Sequence, residues 1–280
     1  MSTYPLLLEP EELQPLLNND DLLIIDQSKL ETYLNAHVPG AIHLDFKKLQ
    51  LGERFTPGAL PSLEQLSEVF SELGLTEDKH VIAYDDEGGG WAGRLIWVLD
   101  MIGHSRYSYL NGGIHAWLQA DLATEEGQKT AVKSRFSVTA LDSRYALTKE
   151  QILARLNTTN SSDSNPLAIW DARSAAEYSG EKVISARGGH IPGAVNYEWT
   201  LGMDSARGLR IKDLTEFDNL LNSLGLTADK EIVTHCQTHH RSGFTYLVGK
   251  ILGRNMKGYA GSWAEWGNDE NTPITTGSQP

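Results

Sequence analysis

The stretch LGLTEDK at residues 73–79 returns as LGLTADK at residues 224–230, and the two copies agree at six of seven positions. Three further pairs recur in the same order: LLIID at 22–26 with LAIWD at 167–171, HVPGA at 37–41 with HIPGA at 190–194, and GGIHAW at 112–117 with GSWAEW at 261–266. An offset of about 150 residues is that of a duplicated domain, because solenoid repeats span only about 20–50 residues. The sequence therefore predicts two homologous domains.

Each half of the chain alternates short apolar runs with amphipathic stretches. In the first half, residues 22–26 and 81–84 are β-like, whereas residues 62–74 and 91–102 have the pattern of helices. Because parallel strands are joined by helical crossovers, we expect an α/β fold of two homologous domains, each a small open parallel sheet flanked by helices. The predicted boundaries are 1–123 for the first domain, 124–146 for an interdomain linker and 147–280 for the second domain.

Local signals mark helix starts and surface segments. Thr148 and Gln151 form a capping-box pattern ahead of an apolar stretch, and Pro10 opens the corresponding helix of the first half. The Asn/Ser-rich segment 157–165 and the tail 272–280 are predicted to be mobile surface.

The composition excludes several classes of protein. Lys and Arg number 24 against 37 Asp and Glu, and the formal charge of −13 repels nucleic acid and anionic membranes. The N-terminus lacks the basic start and apolar core of a signal peptide, and no run approaches the roughly 18 apolar residues of a membrane-spanning helix. A single cysteine cannot form an internal disulfide. We therefore expect a cytoplasmic protein without nucleic-acid or membrane partners.

That cysteine, Cys236, lies where the apolar run 232–235 ends and a helical pattern, predicted over 244–252, is about to begin. In an open parallel sheet, ligands bind beyond the carboxyl ends of the strands, where backbone N–H groups and helix N-termini collect. The thiolate is the nucleophilic form of cysteine, and its pKa falls at a helix N-terminus beside cations. The sequence therefore predicts an enzyme with Cys236 as its catalytic nucleophile.

The loop that follows the cysteine has the pattern C-x4-R. Its predicted substrate-binding residues are Gln237, Thr238, His239, His240, Arg241 and Ser242. A turn of this kind aims N–H groups at the sulfur, and the arginine and two histidines can hold a bound oxyanion. Cysteine-dependent phosphatases have a similar H-C-x5-R-S-G string, and the loop here is one residue shorter. A tighter cradle favours a single transferred sulfur atom, carried as a persulfide on Cys236 in a ping-pong scheme.

Other candidate sites receive structural interpretations. Asp85 matches Cys236 in the first half, so that half is expected to lack a nucleophile, and the acidic run 85–87 is interpreted as solvated. His37 and His190 precede x-Pro-Gly-Ala in both halves and are interpreted as turn-stabilising residues. Zinc is not expected, because structural zinc takes ligands from two separated pairs, whereas His235 and Cys236 are adjacent.

Taken together, these motifs resemble the tandem-domain rhodaneses over nearly the whole chain. The residues that carry the resemblance are the His-x-Pro-Gly-Ala motifs, Asp171-Ala172-Arg173 with Glu177-Tyr178, the Cys236 loop and the segment 258–266. The string Cys-Gln-Thr-His-His-Arg-Ser-Gly is similar to the loop of a bacterial branch of that family. Animal rhodaneses have an arginine where Glu177 stands, and mercaptopyruvate sulfurtransferases have a Cys-Gly-[Ser/Ala]-Gly loop, which is absent here.

The resemblance implies a thiosulfate:cyanide sulfurtransferase with an inactive N-terminal and a catalytic C-terminal domain. Cys236 would carry the persulfide, and residues 237–242 would form its cradle. The implied partners are a small-molecule sulfur donor, thiosulfate, and a thiophilic acceptor such as cyanide. We expect no cofactor and no metal; the sequence does not fix the oligomeric state, for which a monomer is favoured.

Two alternatives remain open from the residues: a cysteine-dependent phosphatase-like anion hydrolase and a non-catalytic persulfide carrier. With His239 and His240 where animal rhodaneses carry lysine, the sequence also predicts that donor turnover weakens as these histidines lose protons.

Overall fold

The computed structural model describes residues 4–157 and 167–280. The chain divides into two compact units. The first comprises residues up to Gln50, Leu60–Asp142 and Met203–Ile211, and the second comprises Leu51–Ala59, Ser143–Gly202 and Lys212 onward. Each unit thus includes one short segment from the opposite half of the sequence, an exchange that the repeat alone does not predict.

The first unit is built on a parallel sheet. Its strands are β1 (Leu7–Leu8), β2 (Leu22–Asp26), β3 (Ile42–His43), β4 (His80–Tyr84) and β5 (Tyr107–Leu110), and its helices are α1 (Pro10–Leu13), α2 (Leu30–Asn35), α3 (Leu63–Glu72), α4 (Gly90–Met101) and α5 (Gly113–Gln119). Over the described residues the strand order is β1-β5-β4-β2-β3, and every pairing is parallel. Every residue of β4 is buried, as expected for a central strand covered by helices on both faces.

The second unit repeats this plan. Its helices and sheet strands are α6 (Lys149–Asn157), β6 (Leu167–Asp171), α7 (Ala175–Ser179), β7 (Ala194–Asn196), α8 (Leu214–Ser223), β10 (Glu231–His235), α9 (Arg241–Ile251), β11 (Asn255–Gly258) and α10 (Ser262–Trp266), while β8 (Met203–Asp204) and β9 (Arg210–Ile211) form a short antiparallel pair assigned to the first unit. The parallel sheet of this unit, in the described part of the chain, has the order β11-β10-β6-β7.

Apolar side chains from the strands and helices form the core of each unit. In the second unit, Ile169 and Val233 from adjacent strands pack with Tyr259, Trp263 and Trp266, and each of these five side chains is at most 2% exposed. Burying a large apolar side chain contributes about 1.5–3 kcal/mol. The two tryptophans are therefore core residues.

The α/β fold and the two homologous domains predicted from the sequence are confirmed. The capping box is also present, because the Thr148 amide donates to Gln151 Oε1 and the Gln151 amide donates to Thr148 Oγ1. One helix boundary was wrong: α9 begins at Arg241, three residues before the predicted start. The first helical turn therefore carries the end of the cysteine loop.

The two segments predicted to be mobile are 157–165 and the tail 272–280. The segment 157–165 lies almost entirely outside the described residues. The prediction for the tail was wrong for its first part, because Thr272 is 3% exposed and the Thr275 backbone pairs with His190 in an antiparallel bridge. The Gly277 amide also donates to the Ser179 carbonyl, so backbone hydrogen bonds anchor the tail as far as residue 277.

The sheet of the second unit determines where the cysteine lies. His235 is the last residue of β10 and pairs with Asp171, the last residue of β6. Cys236 therefore leaves the carboxyl edge of the sheet between β6 and β11, where the backbone turns toward α9. Within the described ranges, no helix is long and apolar enough to cross a bilayer.

Candidate active site

Cys236 is held by its backbone at the carboxyl edge of the sheet. Its carbonyl accepts a hydrogen bond of 2.9 Å from the Trp263 amide, and its own amide lies 3.5 Å from Ser262 Oγ. Ser262 has a left-handed backbone, with φ of 52°, whereas the matching residue of the first unit is Gly113, with φ of 56°. Such a backbone is costly for a residue with a side chain, and here it places a hydroxyl beside the cysteine amide.

The loop surrounds the sulfur with hydrogen-bond donors. The amides of Thr238 and Ser242 and the Ser242 hydroxyl donate to the Cys236 sulfur, and Arg241 adds a positive charge. Burial is the largest influence and raises the pKa of the thiol, but the Arg241 charge and these hydrogen bonds outweigh burial and lower the pKa of Cys236 below its usual value. The arrangement favours the nucleophilic thiolate.

Arg241 is shared between the cysteine and a carboxylate. Its Nη1 and Nη2 lie 2.7 and 2.8 Å from the two carboxylate oxygens of Glu177, whose side chain is 2% exposed. Burial opposes ionisation of Glu177, but the hydrogen bonds and charge of Arg241 prevail and lower its pKa to about 2. Glu177 also accepts a hydrogen bond of 2.8 Å from the Ser174 hydroxyl at the start of α7. Arg241, whose charge stabilises the thiolate, is thus held in a bidentate ion pair with Glu177.

A second network of buried charged residues lies at the ends of β6 and β10, next to the cysteine loop. Arg173 binds Asp171 through three side-chain contacts of 2.5–3.0 Å, donates to the Gly189 carbonyl and lies 4.3 Å from the Trp263 ring centroid. His235 Nε2 lies 3.7 Å from Asp171, and burial lowers the pKa of this histidine. Because Trp263 also binds the Cys236 carbonyl, this network fixes the backbone that carries the thiol.

The remaining predicted loop residues point in different directions. Gln237 Nε2 donates to Ser185 Oγ at 3.0 Å. The Thr238 carbonyl packs so closely against Gly58 that a Cβ at residue 58 would collide with it. The His240 ring lies 5.6 Å from the Trp199 ring, between centroids. Three separate segments of the second unit therefore pack against successive positions of the loop.

His239 is the most enclosed residue of the loop. Its side chain is 0% exposed, and Nδ1 lies 2.7 Å from Ser242 Oγ. The six residues predicted to bind substrate differ in what they contact. Arg241, Thr238 and Ser242 act on the sulfur directly, whereas Gln237, His239 and His240 contact other protein groups.

The matching loop of the first unit holds a carboxyl group of its own, although burial raises its pKa. Asp85 occupies the position of Cys236, is 0% exposed, and accepts amide hydrogen bonds of 2.9–3.0 Å from Glu87, Gly89 and Ala92. The interpretation of this acidic run as solvated was wrong for Asp85, because the loop amides bind its carboxylate as they would bind an external anion. The same fold therefore surrounds a fixed carboxyl group with amides in one unit and the cysteine sulfur in the other.

The histidines of the x-Pro-Gly-Ala motifs are structural. His37 Nδ1 lies 2.8 Å from the Tyr33 carbonyl oxygen, and His190 Nδ1 lies 2.9 Å from that of Tyr178. Each imidazole stacks on the same tyrosine, with ring centroids 4.1 and 3.7 Å apart, and both histidines are buried. This agrees with the turn-stabilising interpretation. Within residues 4–157 and 167–280, no group of three or more histidine, cysteine or acidic residues is arranged to hold a metal ion.

Several residues of the site carry no clear sequence signal. Gly58 reaches the loop from the other half of the sequence, which no periodicity predicts. The Glu177 carboxylate partners Arg241 from 64 residues away in the chain. Ser262 could have been found by aligning the two halves, since the repeat has glycine at the matching position.

The chain is similar to known proteins over most of its length. The family described as Rhodanese-like domain matches residues 9–120 and again residues 148–269. A thiosulfate sulfurtransferase of Azotobacter vinelandii is 49% identical over 274 residues, and one of Pseudomonas aeruginosa is 48% identical over 275 residues; each alignment covers 98% of both chains. The crystal structure of SseA from Escherichia coli, a 3-mercaptopyruvate sulfurtransferase, superposes with a TM-score of 0.78 at 28% identity, covering 93% of this chain and 99% of that one.

Proposed function

The chain belongs to the rhodanese family and is a sulfurtransferase, and from that premise we propose that Cys236 moves a sulfur atom from thiosulfate to cyanide or another thiophilic acceptor. The observation that carries the proposal is the ring of donors around one ionisable sulfur. Two loop amides, one hydroxyl and the Arg241 guanidinium all act on Cys236, and together they lower its pKa. Gln237, His239 and His240 complete the loop that holds these donors in place.

In the first half-reaction, the Cys236 thiolate attacks the outer sulfur of thiosulfate. A sulfur–sulfur bond forms to the enzyme as the sulfur–sulfur bond of thiosulfate breaks, and sulfite leaves with the electron pair. The negative charge moves to the terminal sulfur of the persulfide. The Thr238 and Ser242 amides donate to the Cys236 sulfur, and we expect them to stabilise the charge on the adjacent terminal sulfur, because the loop backbone that holds them is already in place.

In the second half-reaction, the carbon of cyanide attacks that terminal sulfur. The enzyme's sulfur–sulfur bond breaks, thiocyanate leaves, and the Cys236 thiolate is restored with its charge. No proton, oxidant or reductant is consumed in the cycle. Since Cys236 is the only cysteine of the chain, no second thiol of the same molecule can intercept the persulfide.

The first unit supports the proposal by contrast. Its loop amides already bind the Asp85 carboxylate, so an incoming anion finds both the donors and the space taken. We therefore assign one active site to each chain. The functional division that we propose keeps 1–123 as a non-catalytic domain, 124–146 as a linker and 147–280 as the catalytic domain.

The proposed partners are small molecules, with no nucleic acid or membrane surface, and the proposed state is a cytoplasmic monomer without a cofactor. The net charge of −13 disfavours polyanionic partners. An anionic sulfur donor such as thiosulfate is then attracted by the hydrogen-bond donors of the loop and not by the electrostatic field of the whole chain.

Intact-mass measurement tests the proposal. After exposure to thiosulfate and removal of excess, the native chain should gain one sulfur atom, and cyanide should remove that sulfur and release one equivalent of thiocyanate. The Cys236→Ser variant should gain none. Hydrolysis of an aryl phosphate without sulfur loading would instead identify an anion hydrolase, and loading without discharge to any acceptor would identify a carrier.

A further inference from the structure

His239 adopts a backbone conformation that a side chain makes costly. Its φ is 58°, in the left-handed region, and the matching residue of the first unit, three positions after Asp85, is Gly88 with φ of 85°. Both loops therefore need the same turn. The non-catalytic loop has glycine at this position, which adopts the left-handed conformation freely, whereas the cysteine loop has histidine there despite the strain. Strain retained at an active site indicates a role for the side chain.

The side chain makes one short contact toward the reacting sulfur. His239 is fully buried, and its Nδ1 lies 2.7 Å from the hydroxyl oxygen of Ser242. Ser242 is also fully buried, and its hydroxyl bonds to the Cys236 sulfur. The three side chains thus form a chain of hydrogen bonds that runs from imidazole to hydroxyl to sulfur.

The direction of these bonds is fixed by the number of protons. A serine hydroxyl has one proton to donate. If that proton points to the thiolate, the bond between Ser242 and His239 must be donated by the imidazole, through a hydrogen on Nδ1. We propose that His239 is a positioning residue, which donates Nδ1–H to Ser242 Oγ and thereby turns the serine proton onto the Cys236 sulfur. This inference rests on the proposed function, since it assigns a role in generating the same thiolate.

Both half-reactions depend on this orientation. Before the first, the donated proton of Ser242 stabilises the attacking thiolate. In the second, the thiolate is the leaving group when the acceptor takes the terminal sulfur, and the same hydrogen bond stabilises the charge that develops on it. In this role His239 acts on the sulfur through Ser242, whose hydroxyl oxygen lies 2.7 Å from Nδ1.

Other charges facing the sulfur are already balanced within the structure. Arg241 is paired with Glu177, and beneath the loop Arg173 is paired with Asp171, while burial lowers the pKa of His235. None of these groups is altered by a change at His239. A shift in the titration of Cys236 on replacing His239 is therefore attributable to the hydrogen-bond chain.

Alkylation rates measured on single variants and one double variant test the proposal. The pH dependence of alkylation of Cys236 by iodoacetamide gives the thiol pKa without any sulfur transfer. His239→Gly fits the left-handed turn and removes only the imidazole, and it should raise the pKa by about one unit, since a hydrogen bond to a charged group is lost. His239→Asn tolerates the turn and offers an amide N–H near the position of Nδ1, and it should restore most of the native value.

A double-mutant cycle separates this role from a general loosening of the loop. Ser242→Ala should raise the thiol pKa by itself, and adding His239→Gly should produce no further rise, because the imidazole then has no hydroxyl to orient. Additive shifts in the double variant, or a native pKa in His239→Gly, would overturn the proposal. Sulfur loading measured by intact mass on each protein distinguishes this failure from that of the proposed function: a native chain that never loads a sulfur refutes the function, whatever the pKa values are.

Discussion

Replacing Glu177 by glutamine removes the buried counter-charge of Arg241 with little change in shape. A pKa held at about 2, against 4.5 for an ordinary glutamate, corresponds to about 3 kcal/mol of stabilisation at neutral pH. Because the folded pKa lies below the unfolded one, this stabilisation is complete above about pH 4.5 and is lost as the pH falls toward 2. We expect Glu177→Gln to lower the free energy of unfolding by about 3 kcal/mol at pH 7 and by much less near pH 2–3.

The same substitution should favour the reaction, although it destabilises the fold. Freed from Glu177, the guanidinium of Arg241 acts more strongly on the sulfur, so the pKa of Cys236 should fall further and the KM for thiosulfate should decrease. Urea unfolding at several pH values, with alkylation rates for the thiol, measures both effects. Glu181→Gln, at an exposed position two residues after α7, the helix that carries Glu177, is the matched control. It should change neither the free energy of unfolding nor the pKa of Cys236. A stability loss that is equal at pH 7 and pH 3, or an unchanged thiol pKa, would refute this account of the ion pair.

Three further substitutions test other parts of the structure. Asp85→Asn places an amide donor against loop amides that need an acceptor, and urea unfolding should show a loss of about 1–3 kcal/mol with the thiol pKa of Cys236 unchanged. Gly58→Ala forces a Cβ against the Thr238 carbonyl, and steady-state assays should show a kcat about 10²-fold lower; native kcat would mean that the loop tolerates displacement. Ser262→Gly relieves the left-handed strain, so the free energy of unfolding should stay unchanged or increase. Because the Ser262 hydroxyl lies beside the cysteine amide, thiocyanate formation should be slower in this variant; a native rate would exclude a role for the hydroxyl.

The repeat and the position of Cys236 were sufficient to predict the architecture. Strands, helices and the duplicated fold follow from local periodicity, and the carboxyl edge of a parallel sheet is where a reactive side chain such as Cys236 is expected. The predicted start of α9 lay three residues too far along the chain, because the polar residues Arg241 and Ser242 do not continue the apolar helical pattern. In the structure they form the first helical turn, where Arg241 pairs with Glu177 and Ser242 bonds to His239.

Other features could not be predicted because they depend on distant contacts. The Glu177–Arg241 ion pair joins residues 64 positions apart, and the approach of Gly58 crosses from one half of the sequence to the other. The sequence identified His239 as a source of positive charge, whereas the structure buries it against a hydroxyl. The predicted dependence of donor turnover on His239 and His240 remains a prediction, and their alanine variants test it by pH–rate profiles.

The decisive experiment is a crystal structure of the native chain after brief exposure to thiosulfate. We expect one additional sulfur atom bonded to Cys236 Sγ, within hydrogen-bond distance of the Thr238 and Ser242 amides, and no change at Asp85. An unmodified cysteine, with the donor bound elsewhere or the added sulfur turned away from the loop amides, would contradict it.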